Sequence, residues 1–129
     1  DGRGIYRTDY SWSDPVLLRE TAVSELAMGG GEIYAAVPDS GIWRMQVDGS
    51  GWTRISEQTA IELSYDQDTR TLVLLDSDGA VYLLQSDNAL IPLPINGTAA
   101  GIDTAFGMVL VSGTDGLLTM YGQDGEPVL

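Results

Sequence analysis

Residues 41–55 read GIWRMQVDGSGWTRI, and this stretch decides the fold. A glycine opens an alternating apolar run, Asp48-Gly49-Ser50-Gly51 breaks it, and a second run led by Trp52 follows. The pattern reads as strand, tight turn, strand, because Asp and Ser favour turn entry and Gly supplies the positive φ that a hairpin turn needs. The opening glycine recurs as Gly4-Ile5-Tyr6-Arg7, Gly41-Ile42-Trp43-Arg44, Gly79-Ala80-Val81-Tyr82 and Gly116-Leu117-Leu118-Thr119, at intervals of 37, 38 and 37 residues. Pro38-Asp39-Ser40, Asp76-Ser77-Asp78 and Gly113-Thr114-Asp115 precede the last three. Gly41, Gly79 and Gly116 are therefore assigned to structural turns.

Each period divides into four short strands. In the best-preserved unit they are 23–28, 32–37, 42–47 and 52–56; the next repeats them at 61–65, 71–75, 81–85 and 89–93, and the last at 101–106, 108–112 and 117–121 with a stub at 126–129. Turn residues arrive every eight to twelve positions, and no apolar series at helical spacing persists. The chain is expected to be all-β. Four antiparallel strands in roughly 40 residues is the signature of a β-propeller blade. A leucine-rich repeat would be shorter, ankyrin or tetratricopeptide units would need helical faces, and an immunoglobulin-like sandwich has no internal period.

The strands make about three and a half blades: a half blade at 4–18 and blades at 19–56, 57–94 and 98–129. Closed propellers mostly need at least four blades. Two copies would bring two outer hairpins and no inner pairs, so dimeric closure is strained. The expectation is a segment of a larger or multi-chain propeller, or an arc capped by a partner or by self-association, because bare edge strands aggregate.

Residues 41–55 resemble the sortilin and photosystem II assembly-factor type of propeller, and Asp48-Gly49-Ser50-Gly51-Trp52-Thr53 resembles a degenerate Asp-box. The match weakens at 7–12, which keeps Arg7, Asp9 and Trp12, at 85–88, and at 122–125. The resemblance implies structural roles for Asp48, whose carboxylate would cap its own turn, and for Trp52, which would pack between sheets.

Composition removes many chemistries. The 129 residues contain no Cys and no His, which excludes disulfides, thiolate and His-dependent catalysis, and Cys- or His-based metal centres. Six Arg and no Lys stand against 13 Asp and 6 Glu, a net charge of −13 that opposes a nucleic-acid backbone or an anionic membrane as partner. The apolar run at 71–75 is far short of the roughly 20 residues of a membrane helix, so no membrane insertion is expected. Absence of Cys and the glycosylation acceptor Asn96-Gly97-Thr98 point to an extracytoplasmic protein, with any signal peptide removed or upstream.

Carboxylates are the abundant titratable groups. Asp66-Gln67-Asp68 and Asp76-Ser77-Asp78 could place two hard oxygens near one calcium, but neither continues as an EF-hand loop, and solvated turns explain both. Arg7 and Arg44 are equivalent in the repeat, yet Leu83 and Met120 follow, so an axial Arg cluster for sialidase-like chemistry is not expected. Tyr6, Trp43 and Val81 share a register, with Tyr82 adjacent; Tyr6, Trp43 and Tyr82 are the candidate binding residues, against a packing role between blades. Leu63, Leu72, Leu74, Leu84, Val109 and Val111 are the expected core. The reading is a non-catalytic protein-interaction or assembly module, not an enzyme, with no required cofactor and calcium as an option; the alternative is a carbohydrate-binding propeller.

Overall fold

The computed structural model describes residues 4–8 and 15–128. Among these residues there are thirteen strands and no helix. Strands β1 (Ile5–Arg7) and β2 (Val16–Arg19) form a two-stranded sheet. Strands β3 (Glu25–Gly29), β4 (Glu32–Val37), β5 (Gly41–Gln46) and β6 (Thr53–Ser56) form the second sheet. The third contains β7 (Glu62–Asp66), β8 (Thr71–Leu75), β9 (Val81–Leu84) and β10 (Leu90–Pro92). The fourth contains β11 (Ala99–Ala105), β12 (Met108–Gly113) and β13 (Leu118–Gly122). All pairings are antiparallel, and each sheet follows chain order.

The sheets stack face to face as blades. Strand β7 lies between β3 and β11, so the first strand of each full blade lines a common axis. Three cores fill the gaps. Ile5 packs with Ile33, Ala35 and Met45 between the half blade and the second sheet. Ala36, Ile42, Leu63, Leu72, Leu74 and Leu84 fill the next gap, and Val73, Leu75, Val81, Leu83, Val109, Val111 and Tyr121 the third. The six residues expected in the core are all buried. Strand β8 is buried on both faces because it is a central strand with a blade on either side, which explains its uninterrupted Thr71–Leu75 run.

Two details depart from the sequence reading. The stub at 126–129 reduces to a bridge between Tyr121 and Pro127, since proline has no N–H to extend the ladder; Leu129 lies outside the described residues, as do Asp9 and Trp12. The repeat register also shifts by one. Gly41 belongs to β5 and pairs with Val37, whereas Gly79 and Gly116 sit inside their turns, and the pairs that follow are Leu75 with Val81 and Ser112 with Leu118. Ile42, Val81 and Leu118 are therefore equivalent, as are Trp43, Tyr82 and Thr119, so Val81 does not share the position of Tyr6 and Trp43 and Tyr82 does.

Candidate functional site

The repeat turns are structural in their geometry. Asp48 Oδ1 accepts the backbone N–H of Ser50 at 2.9 Å and its hydroxyl at 2.6 Å, and the Ser50 hydroxyl in particular holds the Asp48 carboxyl below its ordinary range. Asp76, Asp87, Asp115 and Asp124 accept N–H groups of their own turns in the same way. Trp52 stacks on Trp43 at 5.0 Å between centroids, with the Arg19 guanidinium 5.2 Å from its ring. This arrangement ties the half blade to the second sheet through an aromatic pair and a cation over its face. Gly41 has φ +124, and Gly79 and Gly116 have φ +85 and +86, all in the region glycine adopts without strain.

The three candidate aromatics have separate fates. Trp43 is half-buried, and its indole N–H donates to Ser40 Oγ at 2.9 Å. Tyr82 is half-buried against the core between the second and third sheets. Tyr6 is exposed and lies opposite Leu17 on the half blade, so no common aromatic platform forms.

The carboxylate pairs resolve into turn caps. The buried Asp66 accepts the N–H of Asp68, the Thr69 hydroxyl and the Gln123 amide, and the buried Asp76 accepts the N–H groups of Asp78 and Ala80. Both carboxylates thus face hydrogen-bond donors. The clamp from Asp66 to Gln123 spans 57 residues and joins the third and fourth sheets. No local motif announces it.

Between the second and third sheets opens a cleft of about 540 Å³, lined by Glu32, Tyr34, Arg44, Tyr65 and Arg70 among others. Arg44 Nε and Glu32 Oε2 form an ion pair at 3.0 Å, and Tyr34 stacks on Tyr65 at 5.4 Å. Burial, reinforced by Tyr65 and Glu32, pushes the Tyr34 hydroxyl up to about 12, so it stays protonated and can only donate or accept hydrogen bonds at neutral pH. On the axis, burial and the neighbouring charge of Glu25 raise Glu62.

Among the described residues, the face of the fourth sheet that points away from the third is open. In the third sheet Val73, Leu75, Val81 and Leu83 form the face that receives the next blade, and all are buried. By hairpin register their equivalents in the fourth sheet are Leu110, Ser112, Leu118 and Met120. Leu118 is 66% exposed where its equivalent Val81 is 1% exposed. Phe106, at φ +55 in the adjoining turn and 83% exposed, borders an apolar groove of about 170 Å³ with Met108, Leu110 and Met120.

No protein-family model and no curated protein matches the sequence. Solved structures do. A chain of the nidogen/laminin complex superposes with a TM-score of 0.76 at 11% identity, over 98% of this chain and 54% of that one. YCF48 bound to D1 peptide gives 0.64 at 18% identity over 95% and 44%, and apo AztD from Citrobacter koseri gives 0.63 at 15% over 91% and 35%. The chain has the fold of a partial β-propeller. It spans about half or less of the length of these three neighbours.

Proposed function

We propose that the chain is a non-catalytic protein-interaction or assembly module built on propeller blades, and that the face formed by Leu110, Leu118 and Met120 is where it engages a protein partner or the remaining blades of a larger propeller. One observation carries this reading: where the third sheet buries Val73, Val81 and Leu83 as a blade interface, the fourth leaves the equivalent Leu118 exposed and Leu110 and Met120 half-buried. An exposed leucine standing where its repeat equivalents are dry is an interface without its other half. Two of the neighbours, a nidogen/laminin complex and YCF48 with a peptide, are propellers solved with protein ligands, which supports the same class of function. The sortilin and photosystem II assembly-factor likeness of residues 41–55, an extracytoplasmic location, and optional calcium belong to this proposal. A carbohydrate platform is less favoured, because Trp43 and Tyr82 are committed to packing.

The test is quantitative cross-linking in the source cells with the wild type and Leu118→Asp, followed by reconstitution with the purified partner. We expect a stoichiometric complex that Leu118→Asp weakens by at least about tenfold, with its own melting point unchanged. Equal capture and equal affinity for the two proteins would remove the fourth-sheet face from the proposal. Retention on a glycan array, lost in a Trp43→Ala variant of unchanged stability, would favour the carbohydrate reading instead.

A further inference from the structure

The gap between the second and third sheets differs from the next gap at three positions. By the hairpin registers that make Ile42 and Val81 equivalent, Glu32, Tyr34 and Arg44 in the second sheet correspond to Thr71, Val73 and Leu83 in the third. Thr71, Val73 and Leu83 are all buried, and the two apolar side chains pack against the fourth sheet. On the same face the second sheet carries an ion pair and a phenol, all half-buried. Drawing two charges partly out of water is costly, and an apolar pair of similar volume packs at least as well. Val73 with Leu83 shows that the repeat accommodates such a pair, so the packing of two blades does not require Tyr34 and Arg44.

These substitutions line the cleft of about 540 Å³, a size within the range of about 300–1,000 Å³ typical of small-ligand sites. Both walls belong to this chain: Glu32, Tyr34 and Arg44 stand on β4 and β5, Tyr65 on β7 and Arg70 in the turn before β8. Leu72 and Leu84 add buried apolar surface. Two glycines seat Tyr65. A Cβ at Gly29 would collide with its ring, and one at Gly30 would come within 3.1 Å of its hydroxyl, so the close approach of β3 sets the ring that stacks on Tyr34. Glu32 Oε2 is sealed from solvent, and its 3.0 Å contact with Arg44 Nε is an ion pair without hydrogen-bond alignment. The Arg44 Nη groups carry four further N–H donors. Arg70, exposed at φ +55, forms no ion pair among the described residues, although the chain holds 19 carboxylates and only six Arg.

We infer that this cleft is a binding site for a small monocarboxylate, its carboxylate held by Arg44 and Arg70 and its apolar body lying against Leu72 and Leu84. Planar guanidinium forks match a carboxylate in geometry and charge. Glu32 is the one acidic side chain lining the cleft, so two guanidinium charges against one carboxylate leave a local charge of +1 within a chain of −13. A monoanion neutralises that charge. A phosphate dianion overshoots it, meets Glu32, and is opposed by the rest of the chain. The Tyr34 hydroxyl, kept protonated by burial and by Tyr65 and Glu32, adds a neutral donor instead of a competing anion. The site is separate from the fourth-sheet face and does not depend on it. A free organic acid and the carboxyl end of a peptide offer the same group.

Benzoate, its uncharged isostere benzamide, and phenyl phosphate are the probes, titrated into the full chain and followed through the arginine Nε–H resonances. With six Arg, no Lys and no His, one spectrum reads Arg44, Arg70 and the outlying Arg54 together. We expect saturable shifts at Arg44 and Arg70 with benzoate, weaker binding of phenyl phosphate and none of benzamide. Arg54, engaged by Glu57 and the Ser40 carbonyl, should not respond. Arg70→Asn keeps a residue that tolerates the left-handed φ; it should weaken benzoate by at least about tenfold with an unchanged melting temperature. Glu32→Gln should narrow the preference for benzoate over phenyl phosphate by about tenfold. Acetyl-Gly-Leu with a free carboxyl end, compared with its amide, separates the two sources: tighter binding of the peptide acid than of benzoate assigns the group to a chain end, and weaker binding assigns it to a free acid. Absence of saturation, equal shifts with benzamide or at Arg54, or undiminished binding by Arg70→Asn would overturn the site. A preference that Glu32→Gln leaves unchanged would overturn the choice of a monoanion. Leu118→Asp should bind benzoate as the wild type does, so failure of the fourth-sheet face and failure of this cleft are read separately.

Discussion

Replacing Gly41 and Gly116 by alanine should give very different losses, although the two glycines occupy the same place in the sequence repeat. At Gly116 the backbone has φ +86 and a new Cβ would meet nothing within 4 Å, so the cost is the backbone strain alone, about 1–2 kcal/mol. At Gly41 the φ of +124 lies beyond the left-handed helical basin, in a region that is nearly glycine-only. A Cβ there would also stand 2.1 Å from the Ser56 carbonyl oxygen and 3.0 Å from Glu57 Cα. Both neighbours are backbone, so relief requires β5 and β6 to separate at their bulge. Strain of about 1–3 kcal/mol and the loss of about one or two ladder hydrogen bonds bring the total to about 3–5 kcal/mol. For a chain of this size that is a fall in Tm of about 10–20 °C for Gly41→Ala and about 3–8 °C for Gly116→Ala. Thermal and urea unfolding followed by far-ultraviolet circular dichroism measure both. Equal losses would refute the register shift that puts Gly41 in a strand and Gly116 in a turn.

Leu74→Ala removes a side chain with no exposed surface from the core between the second and third sheets, and should cost about 2–5 kcal/mol in urea unfolding. Glu62 is raised by burial and by its acidic neighbours, so its contribution to stability is full below the ordinary carboxylate range and is lost as pH rises through its raised value. Glu62→Gln should therefore melt higher than the wild type at about pH 7 and match it near about pH 3, and a constant difference across that range would count against the axial placement of this side chain. Gln123→Ala breaks the clamp on the buried Asp66 and should lower Tm more than Gln58→Ala, whose amide reaches only the neighbouring Thr59 carbonyl; differential scanning calorimetry of the pair decides it.

Local chemistry fixed more of this molecule than its length suggests. The alternation within residues 41–55 and the glycine-led period specify strands, turns and a blade, because side-chain period and turn geometry are short-range properties. The contacts of Asp48 and Trp52 are short-range in the same way: one accepts the Ser50 N–H of its own turn and the other stacks on Trp43 across an adjacent hairpin. Absence of Cys and His likewise set chemical bounds without any structure. Tertiary structure decided which of two adjacent residues shares the register of Trp43, since Gly41 and Gly79 look alike in sequence and differ only in whether a ladder hydrogen bond includes them. It also decided the partners across sheets, such as Asp66 with Gln123 and Tyr34 with Tyr65. The exposure of Leu26, Met28 and Leu118 depends on whether another sheet covers them, a property of the assembled blades. Leucine reads the same in a sequence whether it is buried or waiting for a partner, because burial is set by neighbours distant along the chain.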